Sequence, residues 1–201
     1  MAKIKSTDNN TKREVIIQKA AELFREKGYK ATSMRELAAK VGVEAASLYN
    51  HISGKDELLK EICFSVSKKY HAYINELDTQ KLHSAVKVEK IIRFHVKEMM
   101  QSYEYVYVAE QNWRQLDEPG LTTIRELRRN YRRKFTAIVQ QGIDNHEIKS
   151  LDANSIVMIM LNAIAAVDQW HRIIHKVDSR ELENTIVSVL VDGIRLSNGS
   201  L

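Results

Sequence analysis

Apolar residues recur at helical spacing through most of the chain. Ile16, Ile17, Ala20, Leu23 and Phe24 form one stripe and predict a helix over 12–27, with Gly28 placed to end it. Ser33-Met34-Arg35-Glu36 has the form of a capping box, in which the Ser hydroxyl and the Glu carboxylate each satisfy an orphan backbone amide. A second helix therefore starts at Ser33 and ends near Lys40. Val41-Gly42-Val43 reads as a tight turn, with glycine where a positive φ is cheap. Glu44 to His51 predicts a short third helix. Two short helices joined by a Gly-containing turn are the signature of a helix-turn-helix.

Ser53-Gly54 breaks the pattern again. Beyond it the periodicity predicts helices over 55–77, 84–102, 105–115, 121–142, 152–175 and 180–196. The expected fold is all-α with about nine helices. A helix-turn-helix DNA-binding domain is expected over 1–54, and a ligand-binding and dimerisation domain over 55–201.

Composition agrees. One proline and seven glycines leave few breakers, and 44% hydrophobic against 28% charged residues is a globular balance, not a disordered one. The single cysteine, Cys63, excludes an internal disulfide framework; it shares an apolar helical face with Leu59, Ile62 and Val66 and reads as core. The first twelve residues are polar, without the apolar stretch of a signal peptide. The longest apolar run, Ile156 to Val167, holds Asn162, meets Asp168, and falls short of the ~20 residues of a membrane span. The expectation is a cytoplasmic protein without membrane contact, in a reducing compartment.

Charge is unevenly placed. Residues 1–51 hold ten Lys/Arg against six Asp/Glu, whereas residues 52–201 hold 21 against 20, so the basic excess sits on the small N-terminal part and suggests a polyanion partner there. No Ser/His/Asp constellation, phosphate loop or HExxH motif occurs, which argues against an enzyme and leaves no catalytic residue or cofactor to assign.

A recognition helix presents short, varied side chains to base edges from its N-terminal turn. Glu44, Ala45, Ala46 and Ser47 are such residues, and alanine can contact a thymine methyl. Tyr49, His51 and Lys55 are phosphate-binding types at the far end of that helix and the start of the next. Thr32 and Ser33 can offer hydroxyls and backbone amides to phosphate. Lys3, Lys5, Lys12 and Arg13 add candidate non-specific contacts. Ala38, Val43 and Leu48 are expected in the core of the three-helix unit, and Glu44 has an alternative role at the helix N-terminus through the dipole.

The run from Ala20 to Ala38, followed by Val41-Gly42-Val43, Leu48-Tyr49-Asn50-His51 and Lys55-Asp56-Glu57-Leu58, resembles the TetR family of repressors over about residues 12–60. Asn50 and Ile52 stand where that family usually has aromatic residues, and Gly54 stands for its usual Ser. The resemblance implies DNA-contacting roles for the residues just named. It also implies that the last two helices pair with their copies in a four-helix dimer interface. Ala163, Ala165, Ala166 and Gly193 suit close helix approach there, and Ile156 to Ile164 is apolar nearly all round, as a helix covered on both sides must be.

Helix 121–142 carries an apolar stripe of Ile124, Leu127, Tyr131, Phe135 and Ile138 beside Arg125, Arg128, Arg129, Arg132 and Arg133. Guanidinium forks match phosphate geometry; the alternative is a solvated face with ion pairs such as Glu126. Ile124-Arg125-Glu126-Leu127-Arg128-Arg129-Asn130-Tyr131, Phe135, Gly142-Ile143, Leu151-Asp152 and Trp170 resemble the branch of the family released by acyl-coenzyme A in fatty-acid degradation, with departures at Ala166 and His171. A small-molecule effector, acyl-coenzyme A or another amphipathic ligand, is expected to relieve repression. Its pocket candidates are Phe94, His95, Met99, Tyr103, Tyr107, Trp113, Arg128, Tyr131, Arg132 and Phe135. The alternative is a DNA-binding protein of the same fold without a sensor, such as a division or nucleoid factor. Asp168, His171 and His175 lie near one helical face, a spacing that also suits an interface or pocket rim; no metal is assigned to them.

Overall fold

The computed structural model describes residues 12–166, 169–171 and 178–196, and all regular elements among them are helical. They are α1 (Lys12–Lys27), α2 (Met34–Val41), α3 (Ala45–Tyr49), α4 (Lys55–Asp78), α5 (Ser84–Gln101), α6 (Tyr103–Asn112) with a 3-10 turn at Trp113–Gln115, α7 (Gly120–Asp144), α8 (Ala153–Ala165) and α9 (Ser179–Val187). A π-helical turn, Ser188–Asp192, follows α9. Two compact units result: residues up to 67 with 104–125, and residues 68–103 with those from 126 onward. The division expected from the sequence falls at residue 54, whereas packing groups the first turns of α4 and residues 104–125 with the helix-turn-helix.

In the first unit, α1 buries Ile16, Ile17, Ala20, Ala21, Leu23 and Phe24, and Leu37, Ala38, Val41 and Leu48 complete the three-helix core. Phe24 meets Tyr29 edge to face at 5.1 Å. The capping box forms as expected: the Glu36 amide donates to Ser33 Oγ (3.3 Å) and the Ser33 amide to Glu36 Oε2 (2.9 Å). Gly42 takes φ +80°, the left-handed conformation that closes α2 and turns the chain toward α3. Leu58, Leu59, Ile62 and Cys63 extend the core from α4, with Cys63 packed as an apolar side chain.

The second unit buries Ile91, Ile92, Val96 and Met99 of α5, Tyr131, Phe135, Ile138 and Val139 of α7, and Ile156, Val157, Met160 and Ile164 of α8. Leu182, Ile186 and Val191 close it. Glu147, after α7, accepts from the Ala85 amide (3.0 Å) and so caps α5. Arg93 bridges Glu89 (2.9 Å) on its own helix and Glu183 (2.8 Å) on α9.

Several boundaries differ from the periodicity. The third helix is shorter, Ala45–Tyr49, because Asn50 and His51 turn out of it. The sixth begins earlier and tightens into a 3-10 turn. The helix expected over 152–175 ends at Ala165: the Trp170 indole donates to the Ala163 carbonyl (2.7 Å), an acceptor that a continuing α-helix would use four residues on. Residues 169–171 are helical again; 167–168 and 172–177 lie outside the described residues. The last helix leaves α geometry at Ser188, where the chain widens into the π turn and Val189 faces outward.

Candidate nucleic-acid interface and effector core

Leu48, fully buried, anchors α3 against the first unit. Its opposite side carries the expected reading residues. Glu44 is the N-cap with extended backbone and no side-chain capping bond, so its exposed carboxylate is not engaged by the α3 amides. Ala46, Tyr49 (53% exposed) and His51 are exposed, and Ala45 and Ser47 half-buried. The face is exposed and carries short, mixed polar and apolar side chains, the kind that can meet base edges.

The other expected phosphate residues are placed differently. Thr32 is buried, and its hydroxyl donates to the Gly28 carbonyl (2.9 Å) instead of facing outward. Ser33 is exposed, yet its hydroxyl and amide both serve the capping box. Lys55 donates from Nζ to the carbonyls of Tyr29 (3.2 Å), Lys30 (3.2 Å) and Thr32 (3.3 Å). Arg13 is likewise tied inward, to the His51 carbonyl (2.7 Å), to Glu57 (2.6 Å) and to Glu61. In the DNA-free chain these side chains are held by groups of the protein itself. For Lys55 and Arg13, carbonyls and carboxylates near the helix ends take up the nearest cation, and spacing along the chain does not reveal them. Lys3 and Lys5 lie outside the described residues.

Arg35 is the residue that sequence reasoning passed over. It is exposed in the first turn of α2 and holds no ion pair among the described residues. Its signal was position: the x-x of a capping box points away from the cap.

Local acids are neutralised internally. Lys27 (2.6 Å) and the Ser33 amide and hydroxyl hold the Glu36 carboxyl down at about 2. The Ser53 amide and hydroxyl (2.7 Å each), aided by Arg13, hold Glu57 at about 2. Burial, then Asp56, raises the Tyr29 phenol, which donates to the Asp56 carboxylate. Pairing these carboxylates limits the negative field near α2 and α3.

The expected effector residues divide between the units. Tyr107 and Trp113 fall in the first, where the Arg114 guanidinium stacks on Trp113 at 4.5 Å. The remainder fall in the second. There Tyr131 meets His95 Nε2 at 2.7 Å, and Tyr70 packs edge to face on His95 at 4.4 Å. Phe94 stacks on Tyr73 at 3.9 Å, and Tyr103 on His171 at 3.6 Å. Met99 and Phe135 are fully buried core residues. Tyr70, His71 and Tyr73 of α4 were missed; they share one stretch of an amphipathic helix whose aromatic content was their signal. Arg125, Arg129, Arg132 and Arg133 are exposed and Arg128 half-buried. Arg132 Nη1 lies 3.7 Å from the Met158 sulfur, so this arginine face borders α8.

Asp168 and His175 lie outside the described residues, and among those described no cluster of three metal-ligating side chains forms. No described helix is long and apolar enough to cross a membrane.

Residues 16–62 match the family model of bacterial regulatory proteins, tetR family, and residues 82–194 match the tetracyclin repressor-like C-terminal domain. The HTH-type transcriptional repressor KstR2 of Rhodococcus jostii (strain RHA1) is 21% identical over 185 residues, covering 91% of each chain. KstR2 of Mycolicibacterium smegmatis is 21% identical over 196 residues, 94% of this chain and 93% of that one. Among solved structures, the ketosteroid transcriptional regulator KstR2 of Mycobacterium tuberculosis superposes with a TM-score of 0.87 at 18% identity, covering 94% of this chain and 98% of its own. AibR in complex with isovaleryl coenzyme A and operator DNA superposes with a TM-score of 0.80 at 18% identity, covering 90% and 98%. Regulators of the matched family bind DNA operators and dimerise. With the C-terminal match alone spanning more than half of its length, the chain belongs to the TetR family of bacterial regulatory proteins, and it is a DNA-binding transcriptional repressor.

Proposed function

We propose that the protein binds its operator as a two-fold dimer through α3 and is released by a small amphipathic effector held in the second unit, with acyl-coenzyme A as the sharpest candidate. The exposed face of Glu44, Ala46 and Tyr49, anchored from behind by Leu48, carries the reading. Glu44, Ala45, Ala46 and Ser47 meet base edges, and Tyr49, His51 and Arg35 meet backbone. Two such heads reach successive major grooves when ~34–36 Å apart, or a multiple of it.

Dimerisation uses the outward stripe of α8, Ser155, Met158, Ile159 and Asn162, together with Val189. Met158 (43%), Ile159 (64%) and Val189 (70%) are apolar side chains left exposed on one chain. Apolar exposure of this kind favours a partner surface.

An acyl chain suits the aromatic core of the second unit, and Arg128 and Arg132 suit nucleotide phosphates. AibR, similar in fold, is captured with isovaleryl coenzyme A and operator DNA. The effector must bind the state with mis-spaced heads better than the DNA-bound state, since equal affinity shifts nothing. Titrating the DNA complex with acyl-coenzyme A of graded chain length tests this. Release is expected, weaker with free fatty acid and weaker in Arg128→Ala/Arg132→Ala. Release unaffected by those changes discards the phosphate site, and no release at any length discards the ligand class. The second reading, a DNA-binding protein without a sensor, predicts no ligand-induced thermal shift.

A further inference from the structure

We propose that Arg13 is a positioning residue for operator recognition: its guanidinium pins the end of α3 to α1 and α4, and so fixes the pose in which the reading face meets DNA. The inference rests on the reading of α3 as the base-reading helix.

Helix α3 has five residues, too few to hold its own geometry. Leu48 anchors its middle. Past Tyr49 the chain turns at once. The Asn50 amide donates to the Ser47 carbonyl (3.3 Å), and the His51 and Ile52 amides both donate to the Leu48 carbonyl (3.0 and 3.2 Å). Those bonds shape the turn but do not set where it sits. Burial of Ile52 and two polar ties do. The Ser53 amide and hydroxyl donate to Glu57 Oε2 (2.7 Å each), which joins the turn to the start of α4. Arg13 supplies the other tie. Its Nη1 donates to the His51 carbonyl (2.7 Å), and its Nη2 donates to Glu57 Oε1 (2.6 Å) and to Glu61.

Three parts of the first unit thus meet at one planar group. Helix α1 carries the guanidinium, α4 carries two carboxylates one helical turn apart, and the α3–α4 turn brings the carbonyl. A guanidinium holds its donors in a rigid fork, so three bonds set its plane and with it the place of residue 51. Tyr49 and His51, the proposed backbone contacts, stand two residues before the pinned carbonyl and on it. The side chains of Arg13, Glu57 and Glu61 are 37%, 32% and 37% exposed. Ion pairs this exposed add little to stability, so their consequence is geometric. A recognition constellation tolerates displacements of only ~0.5 Å.

Two duplexes separate positioning from a phosphate contact: the one that the wild-type protein recovers from a randomised pool, and a scrambled duplex of equal length. A phosphate contact adds to both alike, whereas the pose of the reading face matters only for the first. Affinities are measured well below the melting temperature of each variant. Arg13→Lys keeps the charge and loses the fork. It is expected to lower the ratio of the two affinities by about fivefold or more, with the scrambled duplex bound as by wild type. An unchanged ratio, or an equal loss on both duplexes, overturns the proposal. Glu61→Ala removes a negative charge, so charge alone would strengthen binding to both duplexes. It is expected instead to lower the ratio by about threefold, because the guanidinium loses one of its holds. A ratio kept or raised in folded Glu61→Ala overturns the proposal, and this variant carries the test if Arg13→Lys does not fold. Ala46→Glu is measured beside them. If it leaves the ratio intact, the α3 reading fails, and that failure is distinct from any result at Arg13 or Glu61.

Discussion

The Tyr131 hydroxyl lies 2.7 Å from Nε2 of His95, with both side chains buried in the second unit. Burial pushes the Tyr131 phenol well above its ordinary range, so the group stays a neutral hydroxyl at any physiological pH. Tyr131→Phe keeps the ring and removes this bond from a buried imidazole. The expected cost is about 1–3 kcal/mol, read as a lower urea midpoint with unchanged slope. An unchanged midpoint would show that the pair contributes nothing net.

At Gly142 the second unit packs closely on the helix. A Cβ there would lie 2.6 Å from Ile148 Cδ1 and 2.9 Å from Ser84 Cβ. Gly142→Ala is expected to destabilise by about 1–3 kcal/mol through overpacking, despite the better helix propensity of alanine. Adding Ile148→Val removes the closest atom and should recover part of the loss; a strictly additive double mutant would place the strain elsewhere.

The proposed dimer face separates exposed from buried positions on one helix. Ile159 is 64% exposed on the single chain, whereas Ile164 is 5% exposed and belongs to its core. Ile159→Asp, or Val189→Asp, should yield a folded monomer in light scattering with operator affinity reduced by loss of the second half-site. Ile164→Asp should instead unfold the unit, because a carboxylate would be buried without a partner. A dimer mass retained in both Ile159→Asp and Val189→Asp would move the interface to another face.

Stability should fall in acid through Glu57. Its carboxyl is held at about 2 against an ordinary 4.5, first by the Ser53 amide and hydroxyl and then by Arg13. A depressed folded value stabilises the folded state above 4.5, and that contribution is lost as pH falls from 4.5 toward 2. The melting temperature of Glu57→Gln should therefore lie below wild type at neutral pH and converge with it in acid. Salt should narrow the neutral gap only in part, since the Ser53 bonds are local and the half-exposed Arg13 pair is screened. A gap constant across the window would remove Glu57 from the acid response.

The helix-turn-helix was legible in the sequence because its determinants are local. The Ser33–Glu36 box, the left-handed Gly42 and the stripe from Ile16 to Phe24 each act within a few residues, and all appear as the pattern predicts. Matching of Glu44 to His51 against a known recognition helix was equally local. Tertiary structure decided what depends on partners far along the chain. Lys55 meets carbonyls 23 to 26 residues away, and Arg13 meets Glu57 and Glu61 at 44 and 48. Composition marks such cations as candidate phosphate ligands, and only folding shows which groups of the protein they also meet. The same holds for the effector residues. Apolar periodicity selected Met99 and Phe135, which are sealed core, and passed over Tyr70 and Tyr73, whose aromatic neighbours come from α5. Periodicity states which face of a helix is apolar; what that face packs against is set by the other helices.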